Sequence, residues 1–243
     1  MGTLYMIRHG QASYGQAEYD RLSDQGRDQA SRLGAALPGL GMTPVDAVYA
    51  GSLTRQRDTA AHLGAAAAAA GAPLPAPIER ADLDEYPAFE LVAALLPVVL
   101  AARPELAGAG ADRAQMDRAF WHVITGWSRD ELRAPGLPTI GDFAARVSGA
   151  IRAILAAHPG PDRRLMVVTS GGVIGVVVAL AMASTPAHGL ALAQHLRNAS
   201  VTELRFRGRA SADATAGADL ASLLTVVGVN HAAHLPPSLH TTR

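Results

Sequence analysis

Along the chain, short apolar runs alternate with longer stretches in which apolar residues recur every three or four positions. The first run, Thr3-Leu4-Tyr5-Met6-Ile7, has the length and composition of a buried strand and ends at Arg8-His9-Gly10. Ser23 to Leu37 reads as a helix, with Ser23 as its N-cap and Gly26 a mild weakness. Val45 to Ala50 is a second strand, followed by Gly51-Ser52, and Leu53 to Ala70 is a helix that Gly71-Ala72-Pro73 stops. A short strand is expected at Ile78. Phe89 to Arg103 reads as an apolar helix that Pro97 should kink or break.

Gly108-Ala109-Gly110 is the best linker candidate, and Asp112 to Arg133 reads as another helix. Thr139 caps a further helix to His158, ended by Pro159-Gly160-Pro161. Arg164 to Thr169 is a clear buried strand, which turns through Ser170-Gly171-Gly172 into a helix from Val173 to Met182. Val201 to Phe206 and Leu223 to Val229 are the last two strands. Strand–turn–helix alternation of this kind predicts an α/β fold with a mainly parallel central sheet flanked by helices. The stretch from about 81 to 138 has helices alone and reads as a lid-like insertion within one domain covering residues 1–243.

Composition narrows the chemistry. The 243 residues are 49% hydrophobic and carry zero formal net charge, which argues against nucleic-acid or membrane-surface partners. All 21 basic residues are arginine, which removes any mechanism built on a lysine amine. With no cysteine, thiol catalysis and cysteine-ligated metals are excluded. Arg8 breaks the first apolar stretch too early for a signal peptide, and Val173 to Ala183 is too short to span a bilayer. The expectation is a cytoplasmic protein, with a homodimer as the plain prior. His231 and His234 lack a carboxylate partner at ligand spacing, so no metal site is expected.

Three strand ends carry polar or small residues: Arg8-His9-Gly10, Ala50-Gly51-Ser52 and Thr169-Ser170-Gly171. Ligands of open α/β sheets collect at such ends. An imidazole can attack phosphorus, and guanidinium groups present paired donors to phosphate oxygens. Arg55, in the first turn of the second helix, can reach back toward the sheet and form a two-guanidinium clamp with Arg8. A helix-face salt bridge to Asp58 is its alternative role.

Three segments together, Arg8-His9-Gly10-Gln11-Ala12, Leu22 to Ala30 and Ser52 to Ala60, resemble the histidine phosphatase superfamily, the phosphoglycerate-mutase-like proteins. Asn198 to Thr202, and Asn230 with His234-Leu235, are also similar. The resemblance implies a three-layer α/β fold and a phosphomonoester hydrolase working through a phosphohistidine, with no metal or other cofactor and a small phosphorylated substrate. His9 would be the nucleophile, and Arg8 and Arg55 would bind the phosphate oxygens. Glu85 is the best match to the family's proton donor, with Asp82 and Asp84 as rivals. Gln11, Ser13 and Tyr14 would line the pocket mouth, as substrate contacts or as turn residues, and Gly171 suggests close backbone approach to a ligand.

In one place the sequence departs from the family. Ser170 occupies the position of the family's second histidine. Loss of a preorganised transition-state donor costs about 10²–10³ in rate, of which a hydroxyl should recover part. The expectation is a slower or more selective phosphatase. The alternatives are phosphoglycerate-mutase-type transfer, disfavoured by Ser170 and the missing lysines, and a catalytically weakened phosphate-binding or scaffold member of the family.

Overall fold

The computed structural model describes residues 1–13, 20–107, 113–207 and 217–242. The chain divides into two compact units, Met1–Asp84 with Val147–Arg243, and Glu85–Arg146. Sequence reasoning expected a single domain with an insertion at about 81 to 138; the second compact unit runs from 85 to 146.

The first unit is built on a six-stranded sheet of β1 (Gly2–Arg8), β2 (Ala47–Ala50), β3 (Ile78–Glu79), β4 (Arg164–Thr169), β5 (Val201–Phe206) and β6 (Leu224–His231), in the order β3-β2-β4-β1-β5-β6. β1, β2, β3 and β4 are parallel. β5 runs antiparallel to β1 and to β6, so it alone is reversed and the sheet is mainly parallel.

Both faces of the sheet are covered. Tyr5 and Ile7 of β1, Val48 and Ala50 of β2, and Met166 and Val168 of β4 cluster with Leu33 and Leu37 at one helix and Ala60, Leu63 and Ala67 at another. These helices are α1 (Asp24–Ala36) and α2 (Thr54–Ala69). The alternate residues Leu4, Met6, Leu165 and Val167 are equally buried. A further helix, Gly171–Ala181, packs on β1 and β6 and is buried through its first nine residues. That burial accounts for its apolar sequence on every side. Helix–sheet–helix layering follows, and β1 reads as a continuous apolar run because it is covered on both faces.

The second unit contains α3 (Ala88–Ala102) and α4 (Arg113–Ser128), and α5 (Ile140–Ala157) begins in it. Tyr86 stacks on Trp127 with ring centroids 5.0 Å apart, and Phe143 meets Tyr86 edge-on at 5.6 Å. The Trp127 indole donates to the Pro138 carbonyl at 2.9 Å, so this large ring is buried with its one polar atom satisfied. A cavity of about 620 Å³ lies between α3 and α4, walled by Val98, Trp121, His122 and Arg129 among others; no sequence-predicted site residue lines it.

Several expectations are corrected. α3 continues through Pro97 and does not end there. Pro97 and Ala93 are both exposed, so the carbonyl that loses its partner faces water. α4 ends at Ser128, five residues before Arg133, because Asp130 takes a left-handed conformation at φ 61°. The helix after β4, α6 (Gly171–Ala181), begins two residues before Val173. The short α7 (Pro186–Ala193), capped by Thr185 and opened by Pro186, was not anticipated. The proposed Gly108-Ala109-Gly110 linker lies outside the described residues. Among those residues, no helix is long and apolar enough to cross a membrane.

Candidate active site

Because β2, β4 and β1 are parallel neighbours, their carboxyl ends form one edge. Arg8 pairs with Thr169 and Ala50 with Val168, so the three polar tips stand side by side with Ser170 in the middle. The His9 amide continues the ladder, donating to the Thr169 carbonyl at 2.8 Å.

The loop after β1 is fixed against α1. A Cβ at Gly10 would stand 2.3 Å from the Gly26 carbonyl oxygen, and one at Gly26 2.1 Å from the Gln11 carbonyl oxygen. Both glycines are therefore set by backbone approach between loop and helix. Gln11 serves the same contact: its side-chain oxygen accepts from Ser23 at 2.8 Å and its N–H donates to Gln29 at 2.8 Å. Ser13 donates its N–H to the Arg21 carbonyl at 2.8 Å. Tyr14 lies outside the described residues.

His9 is buried, 6% exposed. Its Nδ1 lies 2.7 Å from its neighbour Gly10's carbonyl, which can only accept, so the proton sits on Nδ1. Nε2 is left with a lone pair, and Arg55 Nε donates to it at 3.2 Å. Burial pushes His9 well below the ordinary histidine range; the charges of Arg55 and Arg8 push the same way, and only the Gly10 bond opposes them. The ring is therefore neutral at pH 7, with the Nε2 lone pair next to Arg55.

Arg55 is held by Asp20, whose Oδ1 accepts from Nη1 at 2.6 Å while Oδ2 accepts the Thr54 N–H at 2.7 Å. Asp20 is thus a carboxylate partner of Arg55, the role that sequence reasoning had given to Asp58 as an alternative. Arg8 donates Nη1 to the Leu196 carbonyl and Nη2 to the Thr242 carbonyl at 2.8 Å. Its terminal donors are held by backbone oxygens, and a Cβ on Gly171 would lie 3.5 Å from its Nε. Thr59, one turn after Arg55, accepts the Gly10 N–H at 3.0 Å. Asn198 donates to the His9 carbonyl at 3.1 Å and accepts from Thr241 at 2.9 Å.

The three acidic candidates differ sharply. Asp82 pairs with Arg80 at 2.5 Å. Asp84 accepts from the Ser52 N–H at 2.6 Å, from the Ser52 hydroxyl and from the Leu53 N–H at 3.3 Å, which makes it the acceptor for the turn into α2. Glu85 is the first residue of the second unit, and its Oε1 accepts the N–H of the adjacent Tyr86 at 3.2 Å. Ser170 is fully buried at the start of α6, and its hydroxyl accepts from Gln56 Nε2 at 2.8 Å.

Sequence reasoning missed Asp20 as part of this site, and it noted Gln56, Thr59 and Asn198 only as members of matching segments. Gln56 and Thr59 follow Arg55 by one and four residues on the same helix, a spacing that could have flagged Thr59. Nothing in the sequence marks Asp20, which reaches Arg55 from 35 residues away.

The profile described as histidine phosphatase superfamily (branch 1) matches residues 4–88 and 107–214, and the chain belongs to that family. Its sheet and flanking helices match solved members. Mycobacterial hydrolase 2 is 25% identical, with a TM-score of 0.66 over 98% of this chain and 94% of that one. A mycobacterial glucosyl-3-phosphoglycerate phosphatase is 25% identical, with a TM-score of 0.62 over 94% of this chain and 98% of that one. The phosphoserine phosphatase of Entamoeba histolytica, 16% identical with a TM-score of 0.60 over 97% and 100%, shares the fold. No curated protein sequence matches the chain significantly.

Proposed function

We propose that the protein hydrolyses small phosphomonoesters through a phosphohistidine formed at His9 Nε2. The observation that carries this reading is the tautomer of His9: a neutral imidazole, with its proton held on Nδ1 by Gly10 and its Nε2 lone pair beside a guanidinium. The lone pair attacks phosphorus and the ester P–O bond breaks. Arg55 Nε, which holds the lone pair at rest, transfers its hydrogen bond to a phosphoryl oxygen. Arg8 supplies the second guanidinium by exchanging a backbone carbonyl for the ligand.

Glu85 gives its proton to the departing oxygen. This assignment rests on the match of Glu85 to the family's acidic position; Asp82 pairs with Arg80, and Asp84 accepts from the turn into α2. Water then attacks phosphorus and loses a proton to the Glu85 carboxylate, the P–N bond breaks, and neutral His9 and phosphate are regenerated.

The substrate class we favour is a small phosphorylated metabolite, in line with the glucosyl-3-phosphoglycerate phosphatase among the similar structures. A panel containing p-nitrophenyl phosphate, sugar phosphates and glucosyl-3-phosphoglycerate tests it. His9→Ala should abolish turnover throughout, and Glu85→Gln should lower kcat most for substrates with poor leaving groups. Full turnover by His9→Ala would overturn the mechanism.

A further inference from the structure

Gln56 takes no part in the transfer chemistry above, yet it is completely buried in the first turn of α2. Its side-chain oxygen accepts the Leu53 N–H at 3.2 Å; its nitrogen donates to Ser170 Oγ at 2.8 Å and reaches the Leu83 carbonyl at 3.5 Å. These partners settle which end is which. Turned over, the amide would set its NH2 against the Leu53 N–H and its oxygen against the Leu83 oxygen. Gly51 leaves room for the group: a Cβ there would stand 1.9 Å from Gln56 Oε1.

A serine hydroxyl has a single proton. Since Ser170 Oγ accepts from Gln56, that proton must point elsewhere. No acceptor takes it among the described residues, and the hydroxyl does not cap the first turn of α6 either. Ser170 follows β4 directly and lies between the tips of β1 and β2, next to His9. A fully buried donor with an unspent proton at this edge is suited to an anionic oxygen.

We propose that Gln56 is a positioning residue that fixes the Ser170 hydroxyl as a hydrogen-bond donor to the transferring phosphoryl group. The proposal rests on the phosphatase reading and deepens it. Gln56 and Ser170 act as one neutral device, with the amide setting the direction in which the hydroxyl gives its proton. Without the amide the hydroxyl rotates freely. A carboxylate in place of the amide would draw the hydroxyl proton to itself.

A double-mutant cycle read by steady-state kinetics with p-nitrophenyl phosphate tests the pair. Gln56→Leu should lower kcat by about tenfold with a smaller change in KM, as should Ser170→Ala, below the ~10²–10³ of a fully preorganised oxyanion donor. Gln56→Glu, nearly identical in shape, should lose at least as much. In the Ser170→Ala background neither Gln56 change should cost anything further. Gln56→Met carries the same prediction if the leucine variant does not fold.

An undiminished Gln56→Leu loss in the Ser170→Ala background would make the amide merely structural and overturn the proposal, as would full activity of all Gln56 variants. His9→Ala assayed alongside separates the two readings. Turnover surviving that change would sink the phosphatase reading itself, whereas an inactive His9→Ala with unimpaired Gln56 variants would sink only the positioning role.

Discussion

In the proposed mechanism His9 serves as nucleophile because of what its neighbours do to one proton. Gly10 holds the proton on Nδ1, and burial together with two guanidinium charges keeps a second proton off Nε2. Protonation would remove the attacking lone pair, so kcat/KM should hold down to a pH well below 6.5 and fall only through the folded-state pKa. Arg55 is the largest contributor to this depression after burial. Arg55→Met should therefore raise the His9 pKa toward its ordinary value, seen as an upward shift in the imidazole titration followed by nitrogen NMR. An unmoved titration would mean that burial and Arg8 keep the ring neutral without Arg55. Asn198 acts on the same residue through its carbonyl. Asn198→Ala should lower kcat more than it changes KM, because the imidazole loses alignment while the phosphate ligands remain.

The elements that bring these residues together were legible where local chemistry decides them. Ser23 accepts the Gly26 N–H at 3.0 Å as the N-cap of α1, β4 spans Arg164–Thr169 as read, and Thr139 accepts the Asp142 N–H at 3.1 Å at the start of α5. What could not be read depends on approach in three dimensions. Gly26 looked like a weak point in a helix and is in fact the seat of the loop that follows β1. Pro97 was expected to kink or break its helix, and the helix continues through it on an exposed face. Asp20 carries no local pattern at all, and Gln56 shows only as one member of a matching segment; their contacts exist only once the loop, α2 and β4 converge. Gly26→Ala puts these two levels in direct opposition. Helix propensity alone would stabilise by about 1 kcal/mol, but a Cβ 2.1 Å from the Gln11 carbonyl oxygen forces backbone apart, at a typical overpacking cost of ~1–3 kcal/mol. The clash should win. Denaturant titration should show net destabilisation and assays reduced activity; a stabilised, fully active variant would contradict the close packing of loop on helix.

The same protonation chemistry is a property of the whole fold. Three imidazoles have lowered pKa values: His9, chiefly through burial; His158, through burial and Arg163, partly offset by Asp46; and His234, through burial and His240, partly offset by its bond to Ala199. In the unfolded chain each takes up a proton near its ordinary value of 6.5, whereas the folded protein does so only at lower pH. Unfolding is thus coupled to proton uptake below that value, and stability rises with pH through this window. The contribution is complete above the unfolded-state pKa and is lost progressively as pH falls toward the folded-state values. His158 is partly exposed, so solvent screening reduces its share, and His9, the most deeply buried of the three, should dominate. Melting temperature measured between about pH 5 and 8, the range in which imidazoles change charge, should therefore be highest at the neutral end and fall on acidification. His9→Gln, which cannot titrate, should flatten the profile even if it lowers the melting temperature throughout. Parallel profiles for the two proteins would mean that His9 is already solvated enough to take up its proton while folded, and the lone pair on which the chemistry depends would then be lost at the same mildly acidic pH.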